Sequence, residues 1–217
     1  MTTVVSPIDG NPLREIEDLD AAAVDRALDA ATAAQPEWAR RTPGQKGELL
    51  RRIGMLIHAH LDELAELESR NTGKLISDTR REGERAANCF LYYSGWPDKI
   101  YGRTYPVSDA FHVYSERTPF GVVAGVIPWN VPFLFAAKKF APALAFGNAV
   151  LVKPAAETPL TALRLLELMR EAGLPQGLAD VLTGGAEVGQ ALVGDPRTKL
   201  IVFTGHHETG RAIAECE

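Results

Sequence analysis

The sequence predicts an α/β fold, with a mostly helical first hundred residues followed by a parallel sheet. Three observations carry this. From Gly121 onward short β-branched runs alternate with helical stretches, the pattern of βαβ units. The first of these runs, Gly121 to Ile127, is apolar throughout, as expected of a strand buried on both faces. Each strand of this half is followed by residues suited to a ligand: Trp129 and Asn130, then Lys153, then Thr183-Gly184-Gly185, then Thr204-Gly205. Open α/β sheets bind ligands beyond the carboxyl ends of their strands, so all four sets would lie on one edge.

The elements follow in order. Val4 to Ile16 reads as a strand pair around the turn Ser6 to Asn11. From Asp20 to Ala34, Val24, Leu28 and Ala31 keep helical spacing. Thr42-Pro43-Gly44-Gln45 places Thr at N-cap, Pro at N1 and Gln at N3, a capping box opening a helix with Leu49, Leu50, Ile53, Leu56 and Ile57 on one face. A helix over Leu61 to Thr72 stops at Gly73, and another begins near Ile76 and runs through Tyr93. Tyr101 to Val107 and Phe111 to Thr118 read as a half-polar two-stranded ribbon, marginal alone and in need of another strand or subunit. After strand Gly121–Ile127 come a helix over about 133–146, possessing an internal Pro142, a strand at Ala149–Val152, and a helix from Thr158-Pro159 to Gly173. Then follow a strand near Asp180–Leu182, a helix at Glu187–Val193, a strand at Leu200–Phe203 and a last helical stretch from near Glu208 to Glu217.

Composition narrows the function classes. Hydrophobic residues make up 46% of the 217 and charged residues 24%, ordinary globular values, and the net charge is −5. No basic block points to nucleic acid or an anionic membrane. The cysteines, Cys89 and Cys216, are too few and too far apart for a disulfide framework or a metal site. The N-terminal residues lack the basic and apolar regions of a secretory signal, and no apolar run approaches the roughly 20 residues that span a bilayer. A cytoplasmic, soluble protein is expected.

Gly205-His206-His207-Glu208-Thr209-Gly210 joins a strand to a helix, where free N–H groups and the helix dipole favour an anion. The alternative is a turn that merely needs glycine. A P-loop is excluded, since Arg211-Ala212 stands where Lys-Ser/Thr is required, and G-x-G-x-x-G is absent. Lys153 reads either as a donor to ribose hydroxyls or phosphate, or as a lysine snorkelling to solvent. Asn130 reads as an oxyanion donor or a plain turn residue, Trp129 as packing rather than ligand contact, Cys89 as core and Cys216 as a passive thiol. Adjacent His206 and His207 diverge on a helix and lack matching acidic or cysteine partners, so no metal site is expected.

Taken together, Ile127-Pro128-Trp129-Asn130, Lys153-Pro154-Ala155, Glu157-Thr158-Pro159-Leu160 and Phe203-Thr204-Gly205 resemble the aldehyde dehydrogenase superfamily. The likeness spans nearly the whole chain, including Glu68, Thr72-Gly73-Lys74 and Gly121-Val122-Val123. It implies a Rossmann-like NAD(P)-binding domain in residues 1–100 and 120–217, interrupted by an oligomerisation β-ribbon at 101–119. It also implies NAD or NADP as cofactor, an aldehyde as substrate, and a homo-oligomer or co-assembly through the ribbon. Asn130 matches the oxyanion-hole asparagine. Ile127, Pro128 and Trp129 match the segment lining the cofactor, Lys153 the ribose-binding lysine, and Gly205 with His206 the turn facing the pyrophosphate; Gly184 is a further cofactor-edge candidate.

Three departures from the family pattern carry expectations. Ala156 stands where NAD-preferring members usually carry glutamate, which removes an acceptor for the ribose 2′-hydroxyl and a repulsion of a 2′-phosphate, so NADP use is expected. His206 replaces a small residue, adding charge near phosphate or obstructing the turn. The family's glutamate base and nucleophilic cysteine lie downstream of the Phe-Thr-Gly turn, beyond Glu217, so a truncated domain lacking the catalytic domain, and inactive alone, is expected. A truncated, non-catalytic paralogue that binds nucleotide or co-assembles is the alternative.

Overall fold

A computed structural model describes residues 1–215 of the chain. The expectations of a passive Cys216 thiol and of a last helix reaching Glu217 fall on residues outside that range. Strands β1 (Thr2–Val5) and β2 (Pro12–Ile16) pair antiparallel, as the sequence suggests. Val4 and Ile16 form a small cluster with Leu160. Helix α1 (Ala21–Arg40) starts where Asp20 accepts the N–H of Ala23 at 2.8 Å. It runs six residues past the expected end at Ala34, through Pro36, because Trp38 is buried and donates its indole N–H to the carbonyl of Leu144 at 2.9 Å. Tertiary packing here overrides the stop signal of proline.

Helix α2 (Pro43–Ala59) opens on the capping box, with both reciprocal bonds between Thr42 and Gln45 formed. Helix α3 (Leu61–Thr72) ends at Gly73, whose φ of 79° is the left-handed cap that favours glycine. Helix α4 (Ile76–Ser94) packs on α2, α3 and α5. The ribbon is shorter than expected: β3 (Arg103–Tyr105) pairs with β4 (Val113–Ser115) over three residues. Its side chains are almost all exposed, so no burial extends the pairing.

The second half forms one four-stranded parallel sheet from β5 (Val122–Val126), β6 (Ala149–Lys153), β7 (Ala179–Val181) and β8 (Thr198–Phe203), in the order β7-β6-β5-β8. Helices α5 (Pro132–Ala145) and α6 (Leu160–Glu171) follow β5 and β6; α7 (Ala186–Val193) and α8 (His207–Ala214) follow β7 and β8. The chain steps outward from β5 to β7, then crosses back past β5 to β8. Right-handed crossovers therefore put α5 and α6 on one face and α7 on the other, beside α1. One continuous core runs from Val24 and Leu50 through Phe90 and Phe140 to Val150 and Leu192, joining the early helices to the sheet. No helix among the described residues is long and apolar enough to cross a membrane.

Candidate functional site

The carboxyl ends of the central strands are level. Val126 of β5 sits opposite Lys153 of β6 on one side and Phe203 of β8 on the other. Past these ends the ladder closes with Ile127 N–H donating to the Lys153 carbonyl at 3.1 Å and Thr204 N–H to the Val126 carbonyl at 3.0 Å. Between β5 and β8 the direction of winding reverses, which opens a crevice at the topological switch point. A cleft of about 510 Å³ lies there, lined by Ile127, Pro128, Trp129 and Asn130 from one side and Gly205 and His206 from the other. Two motifs separated by more than seventy residues thus meet because their strands are neighbours. Trp129 is 61% exposed, against the expectation of packing, and Asn130 is exposed.

Lys153, Ala156 and Gly184 lie on the same sheet edge, outside this cleft. Lys153 and Ala156 are half-buried. Burial pushes the Lys153 ammonium below the usual lysine range, while the carboxylates of Glu157 and Glu187 oppose that shift. Glu157 comes from the loop after β6 and Glu187 from the first turn of α7, so the lysine stands in a negative setting at this edge. Gly184 has a φ of 137°, and a Cβ there would lie 2.6 Å from Val188, so the fold itself demands glycine.

Gly205 in the β8–α8 turn and Gly210 inside α8 answer to a neighbour that the sequence reading passed over. A Cβ on Gly205 would lie 2.7 Å from the Phe203 ring, and one on Gly210 would lie 3.0 Å from it. Both glycines make room for that ring. Helix α8 begins after His206 with no side-chain cap, leaving its first N–H groups toward the cleft, although Glu208 in the first turn opposes an anion. The His206 and His207 rings lie 4.3 Å apart and tilted. Among the described residues no three His, Cys, Asp or Glu side chains gather as a metal site.

Lys139 is a site-supporting residue that sequence reasoning missed. It lies on α5, is 7% exposed, and donates to the Thr204 hydroxyl at 2.9 Å, tying α5 to the residue just after β8. Burial holds its ammonium below the usual lysine range, and Lys138 adds to that. The signal available was position: Lys139 falls three residues after Ala136 and four before Ala143, both buried on α5, whereas Lys138 falls between half-buried Phe135 and Pro142.

Cys89 belongs to α4, half-buried, with its thiol 3.8 Å from the Ala137 carbonyl. Burial pushes the thiol up to about 11 from an ordinary value near 9.0. The thiolate is the reactive form, so in a Cys216→Ser background iodoacetamide should label Cys89 roughly 100-fold more slowly than a free peptide thiol at pH 8. Mass-spectrometric labelling rates check this; a rate equal to that of the peptide would show an activated thiol.

An open parallel sheet with a crevice at its switch point, a lysine on the same edge and an uncapped helix end beside it define an α/β domain of the nucleotide-binding kind. The sequence pattern of the aldehyde dehydrogenase family matches residues 1–217, and the chain belongs to that family. It is 44% identical over 220 residues to phenylacetaldehyde dehydrogenase of Pseudomonas fluorescens, covering 97% of this chain and 44% of that protein. The solved structure of PnpE, a protein of Pseudomonas sp. WBC-3, in complex with nicotinamide adenine dinucleotide superposes with a TM-score of 0.97 at 43% identity, over 99% of this chain and 45% of that one. An NADP dependent enzyme of E. coli gives 0.96 at 35% identity, over 99% and 45%. The chain therefore spans less than half the length of these relatives.

Proposed function

We propose that this chain is the nucleotide-binding part of a dehydrogenase that oxidises an aldehyde to a carboxylic acid with NAD(P)+. The observation that carries the reading is the convergence of Ile127–Asn130 and Gly205–His206 on one switch-point cleft. The fold supports the fit: the cleft sits at the strand ends, the first turn of α8 offers uncapped N–H groups to phosphate, and Lys153 on the same edge offers an ammonium to the ribose. When bound, NAD(P)+ accepts the hydride. Ile127, Pro128 and Trp129 line the cofactor, Gly184 sits at its edge, and Asn130 donates an N–H to the aldehyde oxygen as charge develops there. Cys89, held as a thiol within the helical layer, does not serve as the nucleophile of that reaction, and by themselves these 217 residues are expected to bind nucleotide without turning over aldehyde. The ribbon, with Tyr101, Phe111 and Tyr114 exposed, is the surface for assembly with another subunit.

The test is calorimetric titration of the purified chain with NAD+ and NADP+. Binding is expected, and Lys153→Ala should weaken it about tenfold, the loss of one charged hydrogen bond. An undetectable interaction with either nucleotide counts against the reading.

Cofactor choice rests on Ala156. With no carboxylate at that position, NADP+ should bind at least as tightly as NAD+. Ala156→Glu should shift the ratio toward NAD+ by about tenfold or more, through repulsion of the 2′-phosphate. A wild-type chain that binds NAD+ far more tightly than NADP+ would sink this assignment.

A further inference from the structure

Helices α5 and α6 begin directly after the two loops of the proposed nucleotide edge, and neither has a local cap. The N-cap of α5 is Val131 and that of α6 is Pro159, with no side-chain cap bond at either. Uncapped, buried N–H groups are expensive, so partners have to come from elsewhere. They come from a single helix. Glu68 on α3, 1% exposed, accepts the N–H of Phe133 at 3.4 Å with one carboxylate oxygen and the Thr161 hydroxyl at 2.5 Å with the other. Asn71, 2% exposed, accepts the N–H of Leu160 at 3.2 Å and donates to the carbonyl of Glu157 at 2.9 Å.

Glu68 and Asn71 are three residues apart, so they project from one face of α3. The carboxylate also suits the positive end of the α5 dipole, and the Lys74 ammonium lies 3.5 Å from it. Burial pushes the Glu68 carboxyl up, and Thr161, Lys74 and the Phe133 N–H act against that.

We propose that α3 is a clamp for the nucleotide edge: Glu68 and Asn71 are positioning residues that hold the loop bearing Trp129–Asn130 and the loop that follows Lys153, through Glu157, in one mutual geometry. The proposal rests on the nucleotide-binding reading of that edge. Neither residue needs to touch the ligand. Each bond spans 65 to 93 residues of sequence, so the loops are placed by tertiary contacts rather than by local turn chemistry. Asn71 uses its donor and its acceptor at once, so aspartate keeps only half of its grip. Glutamine at 68 keeps the acceptor for Phe133 and an amide able to bond the Thr161 hydroxyl.

The experiment compares wild type, Glu68→Ala, Glu68→Gln, Asn71→Ala, Asn71→Asp and Leu64→Ala, the last a fully buried residue of the same helix outside both hydrogen-bonded sets. NADP+ and NAD+ titrations are read beside melting temperature and amide exchange at Phe133 and Leu160. Glu68→Ala and Asn71→Ala should raise Kd about tenfold, with Glu68→Gln restoring affinity to within about threefold. Faster exchange should appear at Phe133 for the first variant and at Leu160 for the second. Leu64→Ala should melt lower with Kd unchanged. Should an alanine variant fail to fold, Glu68→Gln and Asn71→Asp carry the comparison, the aspartate variant releasing the Glu157 loop and weakening binding. The clamp is overturned if loss of affinity simply follows loss of stability, as in Leu64→Ala, or if neither side-chain change alters exchange at its own amide. Failure of the wild type to bind nucleotide removes the functional reading instead, and exchange at the two amides then decides the clamp alone.

Discussion

Trp38→Ala should destabilise the chain by about 3–5 kcal/mol, the range for removing a large buried aromatic side chain. Trp38 is 2% exposed and belongs to the main core cluster, where α1 meets the end of α5. Its indole N–H bonds the Leu144 carbonyl at 2.9 Å, so the substitution leaves a cavity and also removes a buried donor. That carbonyl keeps a second donor, the Gly147 N–H at 3.2 Å, so the lost bond adds only about 1 kcal/mol to the cavity. Trp38→Phe should therefore lose much less than Trp38→Ala. Urea unfolding at constant pH measures both; equal midpoints for Trp38→Ala and wild type would show that α1 beyond Pro36 contributes nothing to the core.

Gly125→Val should lower stability by about 1–3 kcal/mol through overpacking and should weaken nucleotide binding as well. Gly125 lies in β5, flanked by β6 and β8, and a Cβ there would stand 3.0 Å from the Lys139 stem and 3.2 Å from Val152. The valine methyls have to displace α5 from the sheet. Displacement would pull the Lys139 ammonium from the Thr204 hydroxyl and leave a buried charge without its hydrogen bond. Because Thr204 adjoins Gly205 at the cleft, a stability change and a binding change are expected together. Thermal melting and NADP+ titration of Gly125→Val and Gly125→Ala check this, the alanine variant being milder. A valine variant that melts and binds as wild type would mean that the Lys139 stem yields freely.

The two halves were legible in the sequence to different degrees. The helices α2 and α3 could be bounded from Thr42, Gln45 and Gly73, because caps are local chemistry between residues a few positions apart. The parallel strands were legible because a strand buried on both faces leaves an unbroken apolar run. The extent of α1 was not, since Pro36 is a local stop signal and Trp38 is held by a partner 106 residues away. The ribbon strands came out shorter for the converse reason: their residues suit strands, but no surface buries them. Gly205 looked like a phosphate-turn glycine, and its steric neighbour Phe203 lay only two residues off, hidden by the direction of its ring.

What the sequence by itself determined is the class of fold, the family, and which segments follow each strand: Ile127–Asn130, Lys153–Ala156, Gly184 and Gly205–His206. Those follow from hydrophobic period, caps and motif order, all readable along one dimension. Only the tertiary structure decided that β5 and β8 are neighbours, and hence that Asn130 and Gly205 line one cleft while Lys153 stands beside it. It alone assigned Lys139 to Thr204, and Glu68 and Asn71 to the starts of α5 and α6. The physical reason is common to all of these: a buried polar group has to find a partner in space, and spatial partners 65 to 93 residues apart leave no periodicity in the chain.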